Sequence, residues 1–310
     1  MNQNQHRILL TGGGGMVGKC LLRTAKQKNL HGIYAPTRGQ VDLESRAAVR
    51  HIVESSRPEV VIHAAAHVGG IHANMSDPYG FLYRNITINF NVIEEARAAG
   101  VKRLIFFGSS CMYPRDHAGL LSESDILAAP LEPTNEGYAI SKIAGAKACQ
   151  YIANDPEYIY RTIVPPNLYG PDDNFDPSRS HLIAAIISKL HAAAKNGEKE
   201  VEIWGDGTAR REFLYADDLA HFILDSLDCL GRFPPILNVG AMEDHSVDDY
   251  YRATASIMGY NGDFRYNLDR PVGMKQKLMD SSTARALNWN PKTDLESGLR
   301  KTIQSYLEAN

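Results

Sequence analysis

Tyr138-Ala139-Ile140-Ser141-Lys142 sets a phenol and an ammonium four residues apart, which on a helix is a single face. Free tyrosine ionises near about pH 10. A neighbouring ammonium favours the phenolate, so the pair predicts a Tyr138 shifted below that value and able to trade a proton with an alcohol or carbonyl oxygen. Any helix can carry this spacing by chance, so its surroundings matter. Ser109 and Ser110 close the apolar run Arg103-Leu104-Ile105-Phe106-Phe107-Gly108. Ligands of open α/β sheets lie beyond the carboxyl ends of the strands, where Ser109 could join Tyr138 on one carbonyl oxygen. A further candidate is Thr11-Gly12-Gly13-Gly14-Gly15-Met16-Val17-Gly18, in which Gly12, Gly15 and Gly18 are spaced G-x-x-G-x-x-G. Such a turn tolerates positive φ and lets a phosphate reach backbone amides at a helix N-terminus. The alternative is a glycine-rich turn that binds nothing; its place between a first strand and a first helix favours a dinucleotide. The following strand ends Tyr34-Ala35-Pro36-Thr37-Arg38-Gly39, with no carboxylate for a ribose 2′-hydroxyl. Arg38 would instead pair with a 2′-phosphate, favouring NADP over NAD, unless it is simply a solvated surface charge.

These residues need strands and helices to hold them. Short apolar runs at 7–11, 32–35, 59–64, 103–108 and 158–164 read as strands, and 16–26, 44–54, 81–99 and 138–153 as helices. Thr134 or Asn135 can cap the last of these helices. Unbroken apolar strands alternating with helices argue for a doubly wound parallel α/β sheet. Beyond the turn-rich segment Gly170 to Pro177, helices are expected at 182–194, 247–258 and 295–307, and strands at 201–204 and 235–239. The expected division is a nucleotide-binding domain over 1–170, completed by a return at about 211–240, and a smaller mixed lobe over 171–310.

The composition excludes several classes. The chain has 310 residues and a formal charge of −3, with no basic block to attract nucleic acid or an anionic membrane. No apolar run approaches the ~20 residues of a bilayer span. The N-terminal Met1 to Arg7 is polar and shows no signal peptide. Cys20, Cys111, Cys149 and Cys229 are too scattered for a disulfide framework or a zinc pattern, which points to a reducing, cytoplasmic setting. His63, His67 and His72 lie about Gly69 and Gly70 without a carboxylate or cysteine, and read as loop residues, not metal ligands.

With the glycine loop, the serine and Tyr-x-x-x-Lys in place, the sequence resembles the extended short-chain dehydrogenase/reductase family over nearly its whole length. Longer strings carry the likeness further: Val68-Gly69-Gly70-Ile71 with Ala73-Asn74, Gly108 to Pro114, Leu131-Glu132-Pro133-Thr134-Asn135-Glu136, Asn167-Leu168-Tyr169-Gly170-Pro171, Asp173-Asn174-Phe175, Ser180-His181 and Arg211-Glu212-Phe213-Leu214. They are similar to members that act on GDP-4-keto-6-deoxy sugars. The resemblance implies a Rossmann-like sheet with a nucleotide-sugar lobe and NADP as cofactor. It also implies 3,5-epimerisation of GDP-4-keto-6-deoxy-D-mannose, then hydride transfer to C4 to give GDP-L-fucose. Catalytic roles would fall to Ser109, Tyr138 and Lys142, with Cys111 as base and His181 as acid in the epimerisation. Without the resemblance, Cys111 reads as a small buried hydrophobe and His181 as a helix-start histidine. The cofactor would be held by Gly12 to Gly18 (Gly13, Gly14, Met16 and Val17 included), Arg38, Asp42, Leu43, Ala64 and Ala65. Phe107, Gly108, Ser109, Ser110, Tyr138, Lys142, Pro165, Pro166, Asn167, Leu168 and His181 would complete its site. Asn167, Lys189, Trp204, Arg211 and Asp280 would hold the GDP-sugar. Helices 81–99 and 138–153 would pack a homodimer, with no nucleic-acid or membrane partner. Open alternatives are a related nucleotide sugar (a 4-keto-heptose or a 3,6-dideoxyhexose) or a non-catalytic NADP-binding sensor. Intact Ser109, Tyr138 and Lys142 argue against the sensor.

Overall fold

A computed structural model describes residues 6–117, 119–176, 180–270 and 273–310; Met1 to Gln5, at the polar N-terminus, and Pro177, at the end of the turn-rich segment, lie outside them. The first half alternates β1 (Ile8–Thr11), α1 (Met16–Gln27), β2 (Ile33–Tyr34), α2 (Arg46–Ser56), β3 (Val60–His63), α3 (Ile71–Ser76), α4 (Pro78–Ala98), β4 (Arg103–Phe107), α5 (Glu136–Ile152) and β5 (Ile159–Val164). The second half holds β6 (Asn167–Tyr169), α6 (Leu182–Asn196), β7 (Glu200–Trp204), β8 (Arg210–Tyr215), α7 (Ala216–Asp225) and β9 (Ile236–Asn238). It ends with β10 (Asp244–Ser246), α8 (Val247–Met258), β11 (Asp263–Asn267), β12 (Gln276–Lys277), α9 (Ser282–Ala286) and α10 (Leu295–Ala309).

The main sheet is parallel throughout, in the order β2-β1-β3-β4-β5-β9. All four residues of β1 and of β3 are buried, as strands covered on both faces must be. One layer packs α1 and α7 against it through Leu21, Leu219 and Ile223; the other packs α2, α4 and α5 through Val49, Val92 and Ala146. The chain turns to opposite sides of the sheet after β1, so a crevice opens between β1 and β3 at their carboxyl ends. The second lobe builds its own core from α6, α8 and α10 around Ile187, Tyr250 and Ile303. Its small sheet, β10-β8-β12 with β6 beside β8, draws together segments far apart in sequence.

Several boundaries differ from the sequence reading by a few residues, and two of them have a visible local cause. Helix α4 begins at Pro78, not at 81, because Asp77 caps it by accepting from Gly80 N at 2.9 Å and Pro78 suits a first helical position. Helix α5 begins at Glu136, entered from the 3₁₀ turn Pro133–Asn135; Asn135 stands at its cap without a side-chain capping bond, and Glu132 caps the turn instead. The paired segment β6 and β8 escaped the periodicity reading, since three to six residues with mixed burial carry no clean alternation.

Candidate active site

The glycine loop closes tightly around β1. Gly12 has φ +81°, and a Cβ there would stand 2.6 Å from Ala65 N. A Cβ on Gly18 would meet Gly12 O at 2.2 Å, so α1 can approach the loop only through bare backbone. Gly14 is different: it is exposed and a side chain there would touch nothing. Helix α1 starts at Met16 with no side-chain cap and no acidic residue in its first turn. These features leave an uncovered, positively polarised helix end at the crevice, which suits a diphosphate. Ala64 and Ala65 face Gly12 from the end of β3. Across the loop after β2, Arg38 is exposed with no hydrogen bond or ion pair among the described residues. Asp42 is exposed as well, and its carboxylate is engaged by Glu44 N at 3.0 Å, followed by half-buried Leu43. The donor set (bare amides plus one uncommitted guanidinium) fits a dinucleotide carrying an additional phosphate.

Ser109 leaves the end of β4 and caps the 3₁₀ turn Ser110–Met112, its Oγ accepting from Cys111 N at 3.3 Å. Tyr138 occupies the first turn of α5 and Lys142 the next. Lys142 is buried; its Nζ donates to Phe107 O at 2.8 Å and lies 5.7 Å from the Tyr138 ring centre. Burial draws the Lys142 pKa down to about 8, so this ammonium can release its proton near neutrality. Tyr138 departs from the sequence reading. Burial, reinforced by Cys111, holds its phenol above the ordinary value, against a hydrogen bond with Ser109 that favours the phenolate. Desolvation outweighs the effect expected from Lys142, so the resting Tyr138 is a protonated phenol and thus a proton donor. A cavity of about 170 Å³ opens beside Tyr138, lined by Asn74, Phe81, Asn135 and Gly137 among others.

Cys111 is half-buried, and two donors reach its sulphur: Asn135 Nδ2 at 3.2 Å and Lys277 Nζ at 3.8 Å. His181 precedes α6. It keeps exposed surface, yet the protein around it desolvates the ring, and with the Lys277 ammonium this lowers its pKa. Ser109, Cys111, Tyr138, Lys142 and His181 are thus linked through bonds or charge into one cluster that joins both lobes.

The remaining candidates divide. Buried Pro165 and Pro166 lead into β6, where half-buried Asn167 donates to Glu212 O at 3.4 Å and Leu168 follows. Arg211, in β8, interacts with the charges of Lys277 and Glu132 and so belongs to the cluster. Lys189 and Trp204 have partners of their own in the second lobe: Lys189 Nζ donates to Glu202 O at 2.7 Å, and the Arg270 guanidinium lies 5.3 Å from the Trp204 ring centre. His72 meets the edge of Trp204 at 6.3 Å, a contact from the head of α3 to the second lobe. Asp280 spends one carboxylate oxygen on Ser282 N at 2.9 Å, at the start of α9.

The histidine reading needs two corrections: His72 lies in helix α3, and His63 lies in a strand, within the run 59–64 expected to form one. His63 is no loop residue: it ends β3, fully buried, with Nδ1 2.7 Å from Thr11 Oγ1 and Nε2 3.1 Å from Asn89 Oδ1. Burial and the Lys142 charge lower its pKa to about 3, so the ring is neutral. Asn89 in turn donates to Ser141 O at 3.1 Å, tying β1, β3, α4 and α5 together behind Tyr138 and Lys142. Sequence reasoning also missed Lys277. Two residues of strand, 166 positions from Cys111, give no local signal.

A doubly wound sheet with a glycine turn at its switch point, and Ser109, Tyr138 and Lys142 at the strand ends, fits an enzyme that binds a dinucleotide. The chain belongs to the NAD dependent epimerase/dehydratase family, whose model it matches over residues 8–240. It is 47% identical to the GDP-L-fucose synthase of Azorhizobium caulinodans over 98% of this chain and 97% of that one. It is 45% identical to the GDP-L-colitose synthase of Yersinia pseudotuberculosis over 97% and 98% of the two chains. Among solved structures, a GDP-mannoheptose C4 reductase from Campylobacter jejuni with NADP bound superposes with TM-score 0.89 at 28% identity, covering 99% of both chains.

Proposed function

We propose that the chain is an NADP-dependent epimerase-reductase that converts GDP-4-keto-6-deoxy-D-mannose to GDP-L-fucose. The observation that carries this reading is Cys111: its amide is bonded to Ser109 and its thiol interacts with Tyr138, yet simple ketone reduction has no part for a thiol. A ketone at C4 acidifies C3 and C5. Cys111 takes a proton from these carbons, the electron pair moves onto the carbonyl oxygen, and His181 returns a proton on the opposite face. Ser109 and Tyr138 hydrogen-bond the oxygen while it carries charge. When bound, NADPH supplies hydride to C4. Tyr138, kept protonated by burial, then donates its proton to the C4 oxygen, with Lys142 behind it. Gly12 to Gly18 with Arg38 hold the cofactor, and Arg211, Lys189, Trp204, Asn167 and Asp280 the GDP-sugar. In this division residues 1–170 with about 211–240 serve NADP, and 171–310 the sugar nucleotide.

The pairing is a homodimer built on α4 and α5. These helices expose Tyr79, Tyr83 and Phe90 on one and Ile140 and Tyr151 on the other, an apolar stripe of the kind that marks an interface. The enzyme works in the cytoplasm, a setting consistent with four unpaired cysteines. Among the described residues no helix is long and apolar enough to cross a membrane.

A related GDP-4-keto sugar is the second reading, favoured by the 45% identity to a GDP-L-colitose synthase. NADPH oxidation measured across a panel of 4-keto nucleotide sugars separates the two. The 6-deoxymannose derivative should give the highest kcat/KM; a higher value with a heptose or a 3,6-dideoxy sugar reassigns the substrate, and no turnover at all refutes the enzyme.

A further inference from the structure

Two side chains reach the Cys111 sulphur among the described residues, and one of them is a lysine. Lys277 Nζ approaches from β12 at 3.8 Å and Asn135 Nδ2 from the entry to α5 at 3.2 Å. The Lys277 ammonium, which can only donate, satisfies a sulphur anion better than a thiol. Lys277 is placed there by the second lobe: β12 runs parallel to β8, with Lys277 opposite Arg211. Two residues further on, buried Glu212 fixes this strand by accepting from Met279 N at 2.9 Å. We infer that Lys277, assisted by Asn135, is a positioning residue of the epimerisation that holds Cys111 in the thiolate form. This inference rests on the reading of Cys111 as the base.

The charges around the sulphur agree with that assignment. Glu132 and Arg211 face Lys277, Lys142 and Tyr138 face Cys111 from α5, and His181 faces Lys277 from the start of α6. Glu132 favours the ammonium of Lys277, as Cys111 does, while burial and Arg211 oppose it. The proton removed from the sugar carbon ends on Cys111 Sγ, the electron pair passes to the ketone oxygen, and Lys277 itself exchanges nothing. Its ammonium also disfavours a second positive charge on His181, which makes a protonated His181 the readier donor.

The test uses the full-length enzyme with Lys277→Met and Lys277→Arg. Iodoacetamide labelling of the Cys111 peptide, followed by mass spectrometry across a pH series, reads thiolate directly and needs no substrate. Loss of the ammonium should slow labelling at neutral pH by about tenfold or more and move the half-maximal rate to higher pH, with Lys277→Arg restoring most of it. Solvent-deuterium exchange into the substrate should fall by a similar ~10-fold factor at neutral pH and recover in alkali, while NADPH affinity changes less than about twofold. An unchanged labelling profile in Lys277→Met, with lost exchange that alkali does not recover, overturns the inference. Full exchange in Cys111→Ser would instead refute Cys111 as the base, and the labelling result distinguishes that failure from this one.

Discussion

Replacing Lys142 with methionine separates the cost of a buried charge from its use. Lys142 is 2% exposed, and burial draws its pKa from 10.5 to about 8. At about 1.36 kcal/mol per pKa unit, the folded protein at neutral pH carries a penalty of about 3 kcal/mol for this ammonium. Between about pH 8 and 10.5 the unfolded chain binds the proton and the folded chain does not, so stability rises with pH across that window. Methionine removes the penalty but leaves Phe107 O, which accepts from Nζ at 2.8 Å, without its donor. That loss costs about 1–3 kcal/mol. Lys142→Met should therefore equal the parent at pH 7 or exceed it by up to about 2 kcal/mol, and this difference should shift against the variant by about 2 kcal/mol by pH 9.5. Urea unfolding followed by the fluorescence of Trp204 and Trp289 reads both values. The same variant should lose about 100-fold or more in NADPH-dependent reduction. A variant several kcal/mol less stable at both pH values, or a difference that ignores pH, would refute the reasoning.

Gly18→Ala drives a methyl to within 2.2 Å of Gly12 O, so the loop must shift and NADPH affinity, measured by fluorescence titration, should weaken about tenfold or more. Arg38→Ala removes the free guanidinium and should cut the NADPH-over-NADH preference in kcat/KM by about tenfold or more, at about 1.5–3 kcal/mol for charge-assisted bonds. Burial raises the Glu212 carboxyl to about 7, so the folded protein keeps its proton longer than the unfolded chain. Stability should then fall as pH rises from about 4.5 to 7, by up to about 3 kcal/mol, and Glu212→Gln should flatten that slope in denaturant titrations. Tyr83→Asp places a charge in the exposed stripe of α4 and should convert a dimer to monomer by light scattering; an unchanged mass would remove that face from the interface.

The main sheet was legible because its strands are continuous apolar runs and its helices amphipathic. The glycine turn, Ser109 and the Tyr138–Lys142 face announce themselves within a few residues each. What stayed hidden depends on three-dimensional neighbours. Tyr138 looked acidic because spacing reveals Lys142 but not the burial that opposes it. His63 fell inside the expected strand 59–64, but its bridging role stayed hidden because its partners, Thr11 and Asn89, lie 52 and 26 positions away. Lys277 reaches the site only because β12 pairs with β8, a contact no local pattern encodes. Asn135 and Glu132 did fall inside a string that carried the family likeness, but nothing in the string says that an amide meets a thiol.

The central claim is that one ketone passes first through proton exchange at its two neighbouring carbons and then through reduction. The most direct measurement is the reaction of GDP-4-keto-6-deoxymannose with NADPH in deuterium oxide, with the product examined by NMR. The account predicts GDP-L-fucose with deuterium at C3 and C5 and none at C4. Unlabelled GDP-6-deoxymannose, formed by reduction alone, would contradict it.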